Sequence, residues 1–136
     1  PTPWTWLAEE QDLVDKINAR RATGVDCPNG ALPAVPALTV QTAFLTTVHE
    51  WAWEIAHQNV FINGGESCNG RTNAERQLPA DFDAYVQSRG YASTDAAITG
   101  WFASTTICPS LMSAVRTTIG VGVAVDVVRG YVVVLE

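Results

Sequence analysis

The chain has 136 residues, 47% of them hydrophobic and 16% charged, and a formal net charge of −6. That balance excludes a disordered chain and predicts one domain, 1–136, long enough to bury a core. The acidic surplus argues against nucleic acid, because Lys16 is the one lysine and the arginines are scattered. No apolar run approaches the roughly 20 residues of a membrane span.

The first predicted element is a helix over "WLAEEQDLVDKINARRATG", 6–24. Trp6, Leu13, Val14 and Ile17 share one helical face, and Gly24 supplies the stop. The proline-rich "VDCPNGALPAVPALTV", 25–40, reads as a connecting loop held down by Cys27 and Leu38. "QTAFLTTVHEWAWEIAHQN", 41–59, is the strongest helix, with Phe44, Val48, Trp51, Ala52 and Ile55 on one face. Its far face carries His49, Trp53 and His57. A tryptophan there predicts a helix buried on two sides, as the middle of a layered fold would be.

Gly64, Gly65 and Gly70 mark a long loop. "TNAERQLPADFDAYVQSRG", 72–90, reads as weakly helical, divided at Pro79. "STDAAITGWFAST", 93–105, predicts a short helix with Ser93 or Thr94 as its N-cap.

The end of the chain is β. In "IGVGVAVDV", 119–127, Ile119, Val121, Val123, Val125 and Val127 point one way, and Gly120, Gly122, Ala124 and Asp126 the other. "VRG" turns the chain and "YVVVLE" returns as the hairpin partner. The small-residue face lets a helix lie close to the backbone, and the valine face buries against another layer. The expected fold class is therefore α+β, with helices on both faces of a small antiparallel sheet.

Three cysteines allow at most one intramolecular disulfide. The loop positions of Cys27 and Cys108, beside Pro28 and Pro109, suit a staple worth ~3 kcal/mol. Cys68 is then the odd thiol. The cysteines form no metal pattern, since there is no CxxC and no paired histidine near them.

Glu54-x-x-His57, with Glu50 one turn earlier, occurs once, whereas di-iron bundles repeat such a pair on several helices. It reads as an ordinary helix face. Ser67 in "GGESCNG" lacks the strand that leads into a nucleophile elbow. His57, Glu66 and Cys68 cluster in sequence at the end of the second helix. They are the catalytic candidates of a hydrolase reading.

The order of motifs resembles the CAP superfamily, the secreted cysteine-rich, antigen-5 and pathogenesis-related-1 type domains, in the short bacterial form. The pieces that carry the resemblance are "LVDKINARRATG", "AFLTTVHEWAWEIAHQNVF", "AAITGWFAST" and "CPSLMSAVRTTIGVGVAVD". It implies an exported three-layer α-β-α sandwich with a cleft, where two histidines and one or two acidic residues can hold a divalent metal such as zinc. The first histidine position falls on Asn63 and the second on Ile107. The family's G-E-N phrase falls nearest Ala84, Tyr85 and Val86, and a further acidic position falls near Ser104. Asn is a poor zinc ligand and Ile is none. The expectation is a secreted, monomeric domain with no metal and no cofactor, binding a small apolar ligand or a protein partner, since some relatives bind sterols or fatty acids. An engineered or drifted scaffold with no ligand is the remaining reading.

Overall fold

Helix α1 spans Ala8–Thr23. It opens a computed structural model that describes residues 7–57, 84–124 and 129–136, with only the backbone described at His57. The buried stripe of α1 is Glu10, Leu13, Val14, Ile17 and Arg21. The three apolar members are those the sequence periodicity picks out. A charged residue extends the stripe at each end. Trp6 lies outside the described residues.

The segment expected to be a loop contains three short strands: β1 (Val25–Cys27), β2 (Gly30–Leu32) and β3 (Thr39–Val40). β1 and β2 form a hairpin around Pro28-Asn29, with Cys27 opposite Gly30. Proline and glycine here punctuate strands instead of replacing them. After a 3₁₀ turn at Thr42–Phe44, helix α2 runs Leu45–His57.

A second departure from expectation is β4, Ala84–Arg89, which forms a strand where the sequence reads as weakly helical. It pairs antiparallel with β6, and that pairing decides its conformation. Pro79 and the glycine loop lie outside the described residues.

Helix α3 spans Thr94–Phe102, with the Ser93 side chain accepting from Ala96 N as the N-cap. A short helix, α4, follows at Ile107–Leu111. β5 (Thr118–Ala124) and β6 (Gly130–Leu135) then form the central hairpin.

The four-stranded sheet has the order β3-β5-β6-β4. It is mixed rather than purely antiparallel, because β3 joins β5 in parallel. Helix α2 covers one face, where Phe44, Val48, Trp51, Ala52, Ile55 and Ala56 pack on Ala124, Val132 and Val134. Helices α1, α3 and α4 cover the other, packing on Ile119, Val121, Val123, Tyr131, Val133 and Leu135. The sheet is the middle layer and α2 an outer one. Trp53 is accordingly exposed on the far face of α2.

The small-residue face does what its pattern predicts. A Cβ on Gly122 would sit 2.3 Å from Val48 O, and one on Gly130 2.4 Å from Ala52 O. The α2 backbone thus rests directly on the central hairpin. No helix of the described residues is long and apolar enough to cross a membrane.

Candidate functional site

Three of the cleft positions implied by the resemblance are described. Tyr85, in β4, is half-buried and packs against the α2-side core. Its ring lies 5.0 Å from that of Trp51, tilted by 54°. Ile107, the first residue of α4, packs against the opposite core. Ser104 lies between α3 and α4. Its Oγ accepts from Ile107 N at 3.2 Å and from Thr106 N at 3.3 Å, so the hydroxyl caps the start of α4. Asn63, Glu66 and Cys68 lie outside the described residues, as does the side chain of His57.

This donor set does not fit a divalent metal. Ile107 has no ligating atom, and the Tyr85 ring is engaged in aromatic packing. Among the described residues no group of three or more His, Cys, Asp or Glu side chains could share a metal ion.

The Cys27–Cys108 disulfide forms, linking the β1–β2 hairpin to α4 across 81 residues of sequence with a Cα–Cα distance of 5.8 Å.

Two polar clusters escaped the sequence reading. In the first, Glu10 sits in the first turn of α1, where a carboxylate suits the helix N-terminus. Its Oε1 accepts from Leu7 N at 2.7 Å, half of a capping box. Its Oε2 accepts from Val123 N at 3.0 Å and from His49 Nε2 on α2. This arrangement exists because β3 pairs only with Thr118 and Ile119 of β5. Beyond them, among the described residues, no strand neighbours the outer edge of β5, and the Glu10 carboxylate accepts the Val123 N–H there. A histidine held by a carboxylate is the orienting half of many acid–base sites. Here Glu10 is 0% and His49 4% exposed, and the pair ties two layers together.

In the second cluster, Arg21 is buried at the other end of the same stripe. It donates to Pro36 O (2.9 Å), Leu111 O (2.7 Å), Ser113 O (3.1 Å) and Arg116 O (3.3 Å). Burial holds its pKa below the usual arginine range. One turn before it, Asn18 brackets Leu38 by donating to Leu38 O at 3.1 Å and accepting from Leu38 N at 2.8 Å. In "NARR" the sequence does carry a signal, a polar Asn-x-x-Arg spacing that puts both residues on one helical face.

Three solved bacterial structures share this fold. An extracellular protein containing an SCP domain, from Bacillus anthracis, is 18% identical with a TM-score of 0.69, over 94% of this chain and 40% of that one. An outer surface protein of Borrelia burgdorferi is 14% identical with a TM-score of 0.68, over 93% of this chain and 90% of that one. A cysteine-rich secretory protein of Staphylococcus aureus is 15% identical with a TM-score of 0.62, over 94% of this chain and 38% of that one. The chain thus spans less than half the length of the Bacillus and Staphylococcus proteins. The fold is CAP-like, an α-β-α sandwich of the SCP type. No protein-family model and no curated protein matches the sequence.

Proposed function

We propose that this chain is an exported CAP-like domain acting as a non-catalytic binding module, whose cleft takes a small apolar ligand in place of a metal. The observation that carries the reading is Ile107. It stands where the family's second histidine is implied, and it packs on the core. Tyr85, tilted against Trp51, packs on the α2 side of the sheet, the face opposite Ile107, so the apolar wall proposed here is that of Ile107. Ligand pockets are mostly apolar walls with a few polar groups, and the family resemblance implies Asn63 as such a polar group.

Export is supported by the extracellular or outer-surface descriptions of the Bacillus and Borrelia neighbours. The disulfide agrees, since such bonds persist in oxidising compartments.

Palmitate titrated into the protein, followed by tryptophan fluorescence, tests the ligand class. The expected result is saturable binding that Ile107→Asp weakens by about tenfold, or roughly 1.4 kcal/mol. Affinity for palmitate that is unchanged by Ile107→Asp, or no saturable binding at all, would contradict the apolar cleft.

A further inference from the structure

Two ties hold α4 and the turn after it against the rest of the molecule. One is the Cys27–Cys108 disulfide. The other is Arg21, which reaches Leu111 O, Ser113 O and Arg116 O on one side and Pro36 O on the other. Both ties join the same two stretches of chain, 25–36 and 108–116.

Between these ties the stretch from 107 to 116 is seated by a few core side chains. Helix α4 is five residues long, too short to persist in isolation. Cys108, Leu111 and Met112 are buried in the core, whereas Val115 is 77% exposed. Short segments fixed at a few points can open locally, as units, below the global unfolding energy.

Arg21 makes that opening sharp. The acceptors named for its guanidinium are all neutral backbone carbonyls, so its charge is tolerated only while the cage stays closed around it. A half-opened cage would leave a desolvated cation with lost hydrogen bonds. The stretch is therefore either seated or released. Neither tie hydrogen-bonds to α2 or to the β5–β6–β4 ladder, which keeps its own backbone pairing, and α2 packs in a separate cluster on the other face.

We propose that the disulfide and the Arg21 cage form one redox-sensitive clamp, so that reduction of Cys27–Cys108 releases residues 107–116 as a unit while α2 and the sheet stay folded. The reductant is a dithiol. Its thiolate attacks one bridge sulfur and forms a mixed disulfide, and its second thiol then displaces that sulfur. The protein S–S bond breaks and both cysteines become thiols. Two electrons and two protons pass to the protein, and the dithiol leaves as a cyclic disulfide. Ile107 is the first residue of the released unit, so redox state sets whether it stays packed.

The test is amide hydrogen exchange, read by mass spectrometry, on the full chain carrying Cys68→Ser so that no third thiol can reshuffle the bridge. Oxidised protein is compared with protein reduced by dithiothreitol. Exchange in 107–116 is expected to rise roughly tenfold or more on reduction, with β5, β6 and α2 unchanged and the effect reversed by reoxidation. Arg21→Lys in the oxidised protein should speed the same stretch with the bridge intact. The proposal is overturned if reduction leaves 107–116 unaffected, or if β5 and β6 accelerate equally. It is also overturned if a folded Arg21→Lys protein shows no regional change. Should Arg21→Lys fail to fold, the reduction comparison decides alone.

Discussion

Glu10 on α1 and His49 on α2 join the two helical layers across the outer edge of β5, and the same carboxylate oxygen accepts the N–H of Val123. One side chain thus serves a helix N-terminus, a sheet edge and an interlayer tie. Removing either partner leaves the other buried with a lost bond. Glu10→Ala and His49→Ala should each lower unfolding free energy by about 3–5 kcal/mol. In urea denaturation the double variant should lose less than the sum, by roughly 1–3 kcal/mol. Strict additivity would mean that the two residues stabilise the fold independently.

The contact between α2 and the central hairpin depends on the absence of a side chain. Gly122→Ala would place a Cβ 2.3 Å from Val48 O, a backbone atom that cannot turn aside. A loss of about 1–3 kcal/mol is expected, from forced separation of helix and strand. Gly130→Ala, facing Ala52 O at 2.4 Å, should behave alike. Unchanged denaturation midpoints for both would show that α2 sits farther from the sheet.

Arg21 supplies donors to four carbonyls from two parts of the chain. Arg21→Met keeps much of the stem packing but deletes every donor. It should destabilise by about 4 kcal/mol or more, among the larger single-residue effects. Thermal melting of the oxidised protein measures this, and a shift no larger than that of an exposed-site variant such as Val115→Ala would refute it.

Alkaline stability should depend on Tyr131. Burial raises its pKa from the ordinary 10.0, against a smaller opposing effect of Arg129. Its hydroxyl donates to Tyr91 O at 2.9 Å, which also favours the neutral form. A raised pKa means that the unfolded chain loses this proton first as pH rises. The stabilisation is complete below the unfolded value and is lost as pH climbs through the folded one. Tyr131→Phe should therefore flatten the fall in stability as pH rises above the unfolded value of 10.0. The comparison is of urea midpoints across that range, and parallel curves for the two proteins would count against it.

What the sequence made legible was the apolar grammar. Leu13, Val14 and Ile17, the alternating β5 and the small-residue face opposite α2 all follow from periodicity. What it concealed was polar. Glu10 and Arg21 lie on the same buried stripe, but charged residues read as solvent-facing until their partners are known. Those partners are remote: His49 is 39 residues from Glu10, Val123 is 113, and Leu111 is 90 from Arg21.

β4 was missed for a related reason. Its buried positions are Val86 and Ser88, and a serine gives no apolar alternation. Ser88 is inside because Trp101 Nε1 donates to its Oγ at 2.6 Å. The strands in 25–40 were missed because they are two or three residues long and lie among prolines. For the candidate site, Tyr85, Ser104 and Ile107 were reachable only through the family resemblance. Their roles in ring packing, helix capping and core packing come from tertiary neighbours that no local pattern encodes.

The central claim is that this CAP-like scaffold holds its cleft without a metal. Equilibrium dialysis of the purified chain against zinc, with metal content read by atomic emission and thermal melting run in parallel, tests it most directly. A specifically bound ligand stabilises the folded state as its concentration exceeds its Kd. The account predicts no stoichiometric zinc and no saturable rise in melting temperature for the wild-type chain. One zinc per wild-type chain, with a saturable rise in melting temperature, would contradict it.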